Sequence, residues 1–507
     1  MVFRRGARDK FRTRPRDWDR EPLFPTDEEL LEIGARILNP LEAARLPGDR
    51  GFGTTAYFAD TLLVALDEAS AVADFAGSEE LSSRGWQVVA DPSYVPVIAQ
   101  GIEQEALGAV RFRVQPSEDP ARVLAPVDAH VVVQLLRARG LQRVGLEHVY
   151  VTNVRGHTSG HTEDEDERPS SGRYQSSGGR LPVAYAGRPP ARDAEPRTRR
   201  PVVGVVDTGC GEHDWLIDGV FRDVGFAATP ELPDPEGLDL GGDFVGPLDG
   251  VIDPFSGHGT FICGLIRQGC PNADILSWRV VPSTGLVREG DLINALAGIV
   301  NLVRSGQTLD VLNLSMGHYH ELNAPDLGPA ARVKEVSLQD PALLGLLRTL
   351  SRLGVAVVCS AGNDGTARPM FPAAYTLLGE DWPVPITAVG SLNPNQRSVS
   401  VRSNTGTWVS AYQPGAHVFS TLPGYQGGYE PSNRTRAFGW DRASVDPDDF
   451  SRRDAVGGFG LWNGTSFAAP IQAALIASVL EERLAKSTEP EPEEFGALVR
   501  GLCSPRP

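Results

Sequence analysis

From Pro201 onward the chain repeats one pattern: a short, uninterrupted apolar run rich in β-branched residues, a turn, and an amphipathic window of helical period. The runs predict strands at Val202 to Val206, Ile275 to Val281, Val311 to Ser315, Val355 to Cys359 and Ile386 to Val389. The windows predict helices over His258 to Arg267, Asp291 to Val303, Leu343 to Leu353 and Ser466 to Leu484. A strand with no polar alternation has both faces covered, and helices between successive strands supply the covers. The expected fold is therefore α/β: a three-layer α/β/α domain around a mostly parallel, doubly wound sheet, spanning 201–507. In such a sheet the carboxyl ends of the strands line the crevice where ligands bind.

The first 200 residues follow a different rule. Between Thr55 and Asn153, strands at Thr61 to Leu66, Trp86 to Ala90, Ala109 to Val114 and Val144 to Thr152 alternate with helices at Glu68 to Ala76 and Val127 to Arg139. This βαββαβ order suits a small ferredoxin-like α+β domain over 55–154. Residues 1–54 carry the basic run Arg4, Arg5, Arg8, Lys10, Arg12, Arg14 and Arg16, expected to be a flexible segment. Residues 155–200, rich in Gly, Ser, Pro and charge, are expected to form a disordered linker. His157 and His161 beside the acidic run Glu163 to Arg168 could ligate a metal, but such a linker gives them no fixed geometry.

A formal charge of −17 argues against a nucleic-acid surface, because phosphate binding needs clustered Lys and Arg. No run reaches the roughly 18 apolar residues of a membrane span, and the basic start is not followed by a signal-peptide core. A cytoplasmic protein without membrane or nucleic-acid partners is expected. The cysteines Cys210, Cys263, Cys270, Cys359 and Cys503 are odd in number and irregularly spaced, so reduced thiols are expected.

Four segments concentrate chemistry in the large domain. The buried run Val202 to Val206 ends in Asp207-Thr208-Gly209, which sets a carboxylate at the crevice. Gly257-His258-Gly259-Thr260 puts a histidine, freed by flanking glycines, at a helix start. In Asn463-Gly464-Thr465-Ser466 a sharp turn presents a serine at the positive end of a long helix, with Pro470 expected in the first turn. Ser360-Ala361-Gly362-Asn363 follows a strand and offers a side-chain amide. Taken singly, each has an ordinary explanation: a turn residue, a structural histidine, a helix cap.

Together, in the order Asp207, His258, Ser466, the segments resemble the subtilisin-like serine protease family (subtilases). The likeness runs from about Pro201 to Val499. It implies an endopeptidase in which Asp207, His258 and Ser466 form the catalytic triad and Asn363 donates to the oxyanion. It also implies that Leu314, Ser315, Met316 and Gly317 pair with substrate backbone, while Ser360, Ala361 and Gly362 floor the pocket before the scissile bond. Ser277 to Val280 would lead to the other edge of the groove. A polypeptide substrate and no required cofactor follow. Structural calcium occurs in the family, but the acidic positions Asp214, Asp218, Asp243 and Asp249 give no ligand geometry, so no metal residues are assigned. The Pro- and Gly-rich stretch Pro230 to Gly250 and the insert around Gly424 to Phe459 exceed what compact relatives need. Both are expected to be loops near the groove.

Two other function classes fit the same residues less well. A binding module that keeps the fold without activity would not need all four catalytic residue types. An esterase would be expected to carry its serine in a G-x-S-x-G elbow and not in Gly-Thr-Ser. The small domain is expected to be either an intramolecular pro-domain whose last strand enters the groove, or a permanent regulatory domain answering to a cytoplasmic partner.

Overall fold

The computed structural model describes residues 22–44, 52–117, 126–152, 180–183, 185, 187–196, 198–226, 239–244, 248, 252–322, 328–379, 381–427, 434–443, 458–486 and 489–504. The large domain is built on a seven-stranded parallel sheet. Its strands run in the order Val220–Arg222, Asp274–Arg279, Val202–Asp207, Val311–Leu314, Ala356–Ser360, Thr387–Leu392 and Ala411–Pro414. Helices cover both faces. One core gathers Leu292, Leu296 and Leu346 against one side of the sheet, and another gathers Phe261, Phe467 and Ile476 against the other. The expected α/β/α architecture is the one observed. The two outermost strands, Val220-Phe221-Arg222 and Ala411-Tyr412-Gln413-Pro414, lack an uninterrupted run of β-branched residues and are additions to the five expected.

The N-terminal strands form an antiparallel sheet in the spatial order Val144–Thr152, Thr55–Ala65, Ala109–Pro116, Trp86–Ala90. Helices Ala69–Phe75 and Ala129–Ala138 lie on one face, where Leu62, Val64, Val72, Phe112 and Leu136 make a core. Because successive side chains point to opposite faces, Leu63 and Ala109 leave that core for the large domain's, beside Leu292 and Leu296. The sheet is thus buried on both sides, as the unbroken run Leu62-Leu63-Val64 requires.

Two expectations about the first 200 residues need correction. Part of the segment expected to be flexible is ordered. Asp27–Glu32 is a helix closed by a reciprocal capping box between Thr26 and Glu29, and Ala35–Leu38 pairs antiparallel with Thr55–Phe58. Likewise, within the expected linker, Leu181–Val183 is a strand paired with Gly458–Trp462. Local composition hid it because its hydrogen-bonding partner lies far along the chain. The basic run from Arg4 to Arg16, His157, His161 and the acidic run Glu163 to Arg168 lie outside the described residues.

The seam between the two sheets carries a buried ionic network. Glu147, wholly buried on the N-terminal side, accepts from Arg111 Nε at 2.9 Å, Thr61 Oγ1 at 2.6 Å and Arg288 of the large domain at 2.9 Å. Arg111 also reaches Asp291 at 3.2 Å, and Arg288 lies over the Phe58 ring. A buried pair contributes little net stability, but removing one member strands the others without water. Glu147→Ala is therefore expected to destabilise the full chain by about 3–5 kcal/mol, measured as a lower denaturant midpoint. A midpoint within error of wild type would mean that the network is solvated in solution.

Candidate active site

The strand Val202–Asp207 ends at the crevice because Thr208-Gly209 turns the chain there. Asp207 Oδ1 accepts from Thr208 N at 2.8 Å and sits 2.7 Å from His258 Nδ1. His258 opens the helix His258–Gly269, entered through Gly257 at φ 79°, a left-handed backbone that favours glycine. Gly259 lies so near Gly209 that a Cβ would meet the Gly209 carbonyl oxygen at 2.1 Å. Strand end and helix start are held together by the Thr208 hydroxyl, which accepts from Gly259 N at 2.8 Å. The second ring nitrogen, His258 Nε2, is buried without a hydrogen-bond partner.

Ser466 lies in the first turn of the helix Thr465–Leu484, and its Oγ donates to the Ser315 carbonyl at 3.3 Å. Pro470 is not in that first turn, as the sequence suggested, but in the second, because the helix begins at Thr465. Its missing N–H therefore deprives the Ser466 carbonyl of the usual donor four residues on. The Ser315 hydroxyl replaces it at 2.9 Å, itself accepting from Asn313 Nδ2 at 2.9 Å. Asn363 Oδ1 accepts from Thr465 N at 2.8 Å, and Thr465 Oγ1 accepts from Gly362 N at 3.0 Å. That double tie fixes the amide, leaving Asn363 Nδ2 buried with no partner.

The groove segments divide unevenly. Leu314 is an interior sheet residue, paired with Val206 on one side and Cys359 on the other, so its backbone is not an edge. The edge is Met316–Gly317, which pairs antiparallel with Thr152 and Val151. A second edge, Leu286–Arg288, pairs with Val151, Tyr150 and Val149 from the other side. It follows the strand Asp274–Arg279, which contains most of the segment Ser277 to Val280 expected to lead there. The end of the N-terminal sheet's last strand thus lies between two edges of the large domain, and Asp207, His258 and Ser466 are fully buried. Ser360, Ala361 and Gly362 are buried below; Asn404 Nδ2 donates to the Ala361 carbonyl at 2.9 Å.

Sequence reasoning missed two supports. Asp239 receives Gly257 N at 3.1 Å, Thr260 N at 3.2 Å and Thr260 Oγ1 at 2.7 Å, capping the histidine's helix from a distant loop. Burial pushes its carboxyl up to about 7, against the opposing pull of Thr260 and Arg279. Arg180, wholly buried, donates to the carbonyls of Asp253 at 3.1 Å and Ser256 at 2.8 Å, beneath the loop that leads to His258. Its guanidinium carbon lies 5.2 Å from the ring centroid of Trp462, which packs against His258. Neither position carries a local signal, since one sits in an insert and the other in the expected linker. Among the described residues, Asp214, Asp218 and Asp243 belong to no group of three or more His, Cys, Asp or Glu side chains whose ligand atoms lie within 4.8 Å of one another. Asp249 lies outside those residues. Cys210, Cys263, Cys270, Cys359 and Cys503 are free thiols.

A parallel α/β sheet whose strand ends carry a carboxylate, an imidazole and a serine at a helix start defines a class of hydrolase site. The sequence profile of the subtilase family (peptidase S8) matches residues 198–500, well over half of the chain, and the chain belongs to that family. It is a subtilisin-like serine peptidase. The Major intracellular serine protease of Bacillus subtilis is 26% identical over 318 residues, covering 59% of this chain and 74% of that protein. Subtilisin E of Bacillus subtilis is 25% identical over 256 residues, covering 48% of this chain and half of its own length. A solved cold adapted subtilisin-like serine proteinase aligns at 19% identity with a TM-score of 0.36, over 63% of this chain and 88% of its own.

Ser315→Ala is expected to leave the Ser466 carbonyl without a donor, costing about 1–3 kcal/mol of stability and lowering kcat as the serine shifts. Parallel thermal unfolding and peptide-hydrolysis assays would test it. Unchanged values in both would show that Pro470 imposes no such need.

Proposed function

We propose that the chain is a serine endopeptidase in which Ser466 attacks the peptide carbonyl, His258 moves the proton, and Asp207 orients the imidazole. The observation that carries this is the pairing of one tied and one free nitrogen on His258. Nδ1 is committed to Asp207 at 2.7 Å, while Nε2 has no partner and is available to a nucleophile. Turning the Ser466 hydroxyl from the Ser315 carbonyl toward Nε2 would let the imidazole take its proton and later deliver it to the leaving amine. The free Asn363 Nδ2, with the Ser466 N–H at the helix start, would then stabilise the tetrahedral oxyanion.

The N-terminal sheet is proposed to act as an intramolecular pro-domain occupying its own protease's groove. An extended strand between Leu286–Arg288 and Met316–Gly317 takes the position a substrate strand would need, with main-chain hydrogen bonds on both sides. Specificity would come from the side chains of such a strand, here Tyr150, fully buried against His318. The likeness to an intracellular serine protease supports a cytoplasmic setting, where a restrained zymogen protects the host. A permanent regulatory domain is the second reading, favoured by the buried ionic seam that ties the two sheets together.

Asn363→Ala is expected to lower kcat by about 10²–10³, the loss already known for this family's oxyanion donor, with little change in KM. Peptide-hydrolysis kinetics are the check, and an unchanged kcat removes Asn363 from the mechanism. Wild-type protein is expected to cut itself between Val149 and Arg200. Ser466→Ala stays intact and unlabelled by a fluorophosphonate. Intact mass of both proteins reads the outcome; an uncut wild-type chain that hydrolyses peptides would leave the regulatory reading standing.

A further inference from the structure

At the seam between the two sheets lies a buried cluster that the proposed chemistry does not use. His148 comes from the strand Val144–Thr152, Glu289 opens the helix Glu289–Arg304, and His318, His320 and Glu321 follow the edge Met316–Gly317. His148 Nδ1 lies 2.6 Å from Glu289 Oε2, its Nε2 lies 2.8 Å from Glu321 Oε2, and its ring stacks on His318 with centroids 4.3 Å apart. His318 is the unusual member: both its ring nitrogens are buried and neither has a hydrogen-bond partner. A buried polar atom left unmatched costs about 1–3 kcal/mol, so an imidazole with two is poorly accounted for by the protein alone.

We propose that His148, Glu289 and His318 bind a divalent cation of the zinc class. One donor atom from each lies within 4.8 Å of the others. Two ligands on a tetrahedral zinc sit about 3.3 Å apart, so the His148–Glu289 contact need open by only a fraction of an ångström. An imidazole-and-carboxylate set suits this ion. The outer partners are also in place: His148 Nε2 faces Glu321, which Arg137 holds at 3.2 Å. A neighbouring group, His148, His320 and Glu321, is the weaker candidate, because His320 Nδ1 already accepts from Leu322 N at 3.0 Å.

The ligands are divided between the two domains. His148 belongs to the docked strand, whereas Glu289 and His318 directly follow the two edges that grip it. The complete site exists only while the strand is in place, so the cation latches the N-terminal domain down. This latching role rests on the pro-domain reading of the N-terminal sheet; the ion site needs only the strand pairing itself.

The test uses full-length Ser466→Ala protein, stripped with chelator, reloaded with Zn²⁺ and desalted. About one zinc per chain is expected by elemental analysis, and Co²⁺ in its place should give the intense visible absorption of a tetrahedral nitrogen–oxygen site. His318→Ala and Glu289→Gln should each weaken zinc binding by more than about 100-fold, beyond what loss of an outer hydrogen-bonding partner costs. His318→Gln, which keeps volume and polarity, guards against misfolding: it should melt like the metal-free parent yet gain no stability from zinc. Absence of stoichiometric zinc in the parent overturns the proposal and leaves His148 as an imidazolium between two carboxylates. Full zinc binding by a folded His318→Gln protein overturns it equally. Self-cleavage of the wild-type chain is read separately by mass, so failure of the docking reading would not be mistaken for failure of the ion site.

Discussion

One strand joins the two halves of this molecule. Val144–Thr152 pairs with Thr55–Ala65 in its own sheet, and its last residues are gripped by Leu286–Arg288 and Met316–Gly317 of the large domain. Backbone donors and acceptors buried away from water must be paired. An inserted strand satisfies both edges of the groove at once, and the groove in turn satisfies the strand. The strand also carries Glu147 of the ionic seam, and its sheet shares the apolar core around Leu63 and Leu292 with the large domain.

Around the serine, the same requirement for pairing explains residues that do no chemistry. Pro470 removes one donor from the helix, and Ser315 restores it on the Ser466 carbonyl. Thr465 uses its N–H on Asn363 Oδ1 and its hydroxyl on Gly362 N, which fixes the asparagine and turns its free amide nitrogen outward from the bond. Asp239 closes the exposed donors at the start of the histidine's helix. Asp207, His258, Asn363 and Ser466 are thus each tied to a neighbour, while His258 Nε2 and Asn363 Nδ2 are buried without a hydrogen-bond partner.

The fold was largely legible because it rests on local periodicity. Apolar β-branched runs marked the five long strands of the catalytic sheet, and alternating runs marked the βαββαβ order of the small domain. The family motifs around Asp207, His258, Asn363 and Ser466 were legible because tight turns demand particular small residues at fixed spacing. What failed were judgements about segments with no periodicity of their own. Leu181–Val183 and Ala35–Leu38 are strands because a partner strand is present.

By itself, then, the sequence determined the layers of the fold, the family, and the local turns around Asp207, His258, Asn363 and Ser466. All of these follow from interactions within a few residues of one another. Only the tertiary structure decided that Asp239 caps the helix of His258, that Arg180 props the loop before it, and that His148 meets Glu289 and His318. These contacts join residues far apart in the chain. Their chemistry is that of ordinary buried polar groups seeking partners, and nothing in the neighbouring sequence records which partner each will find.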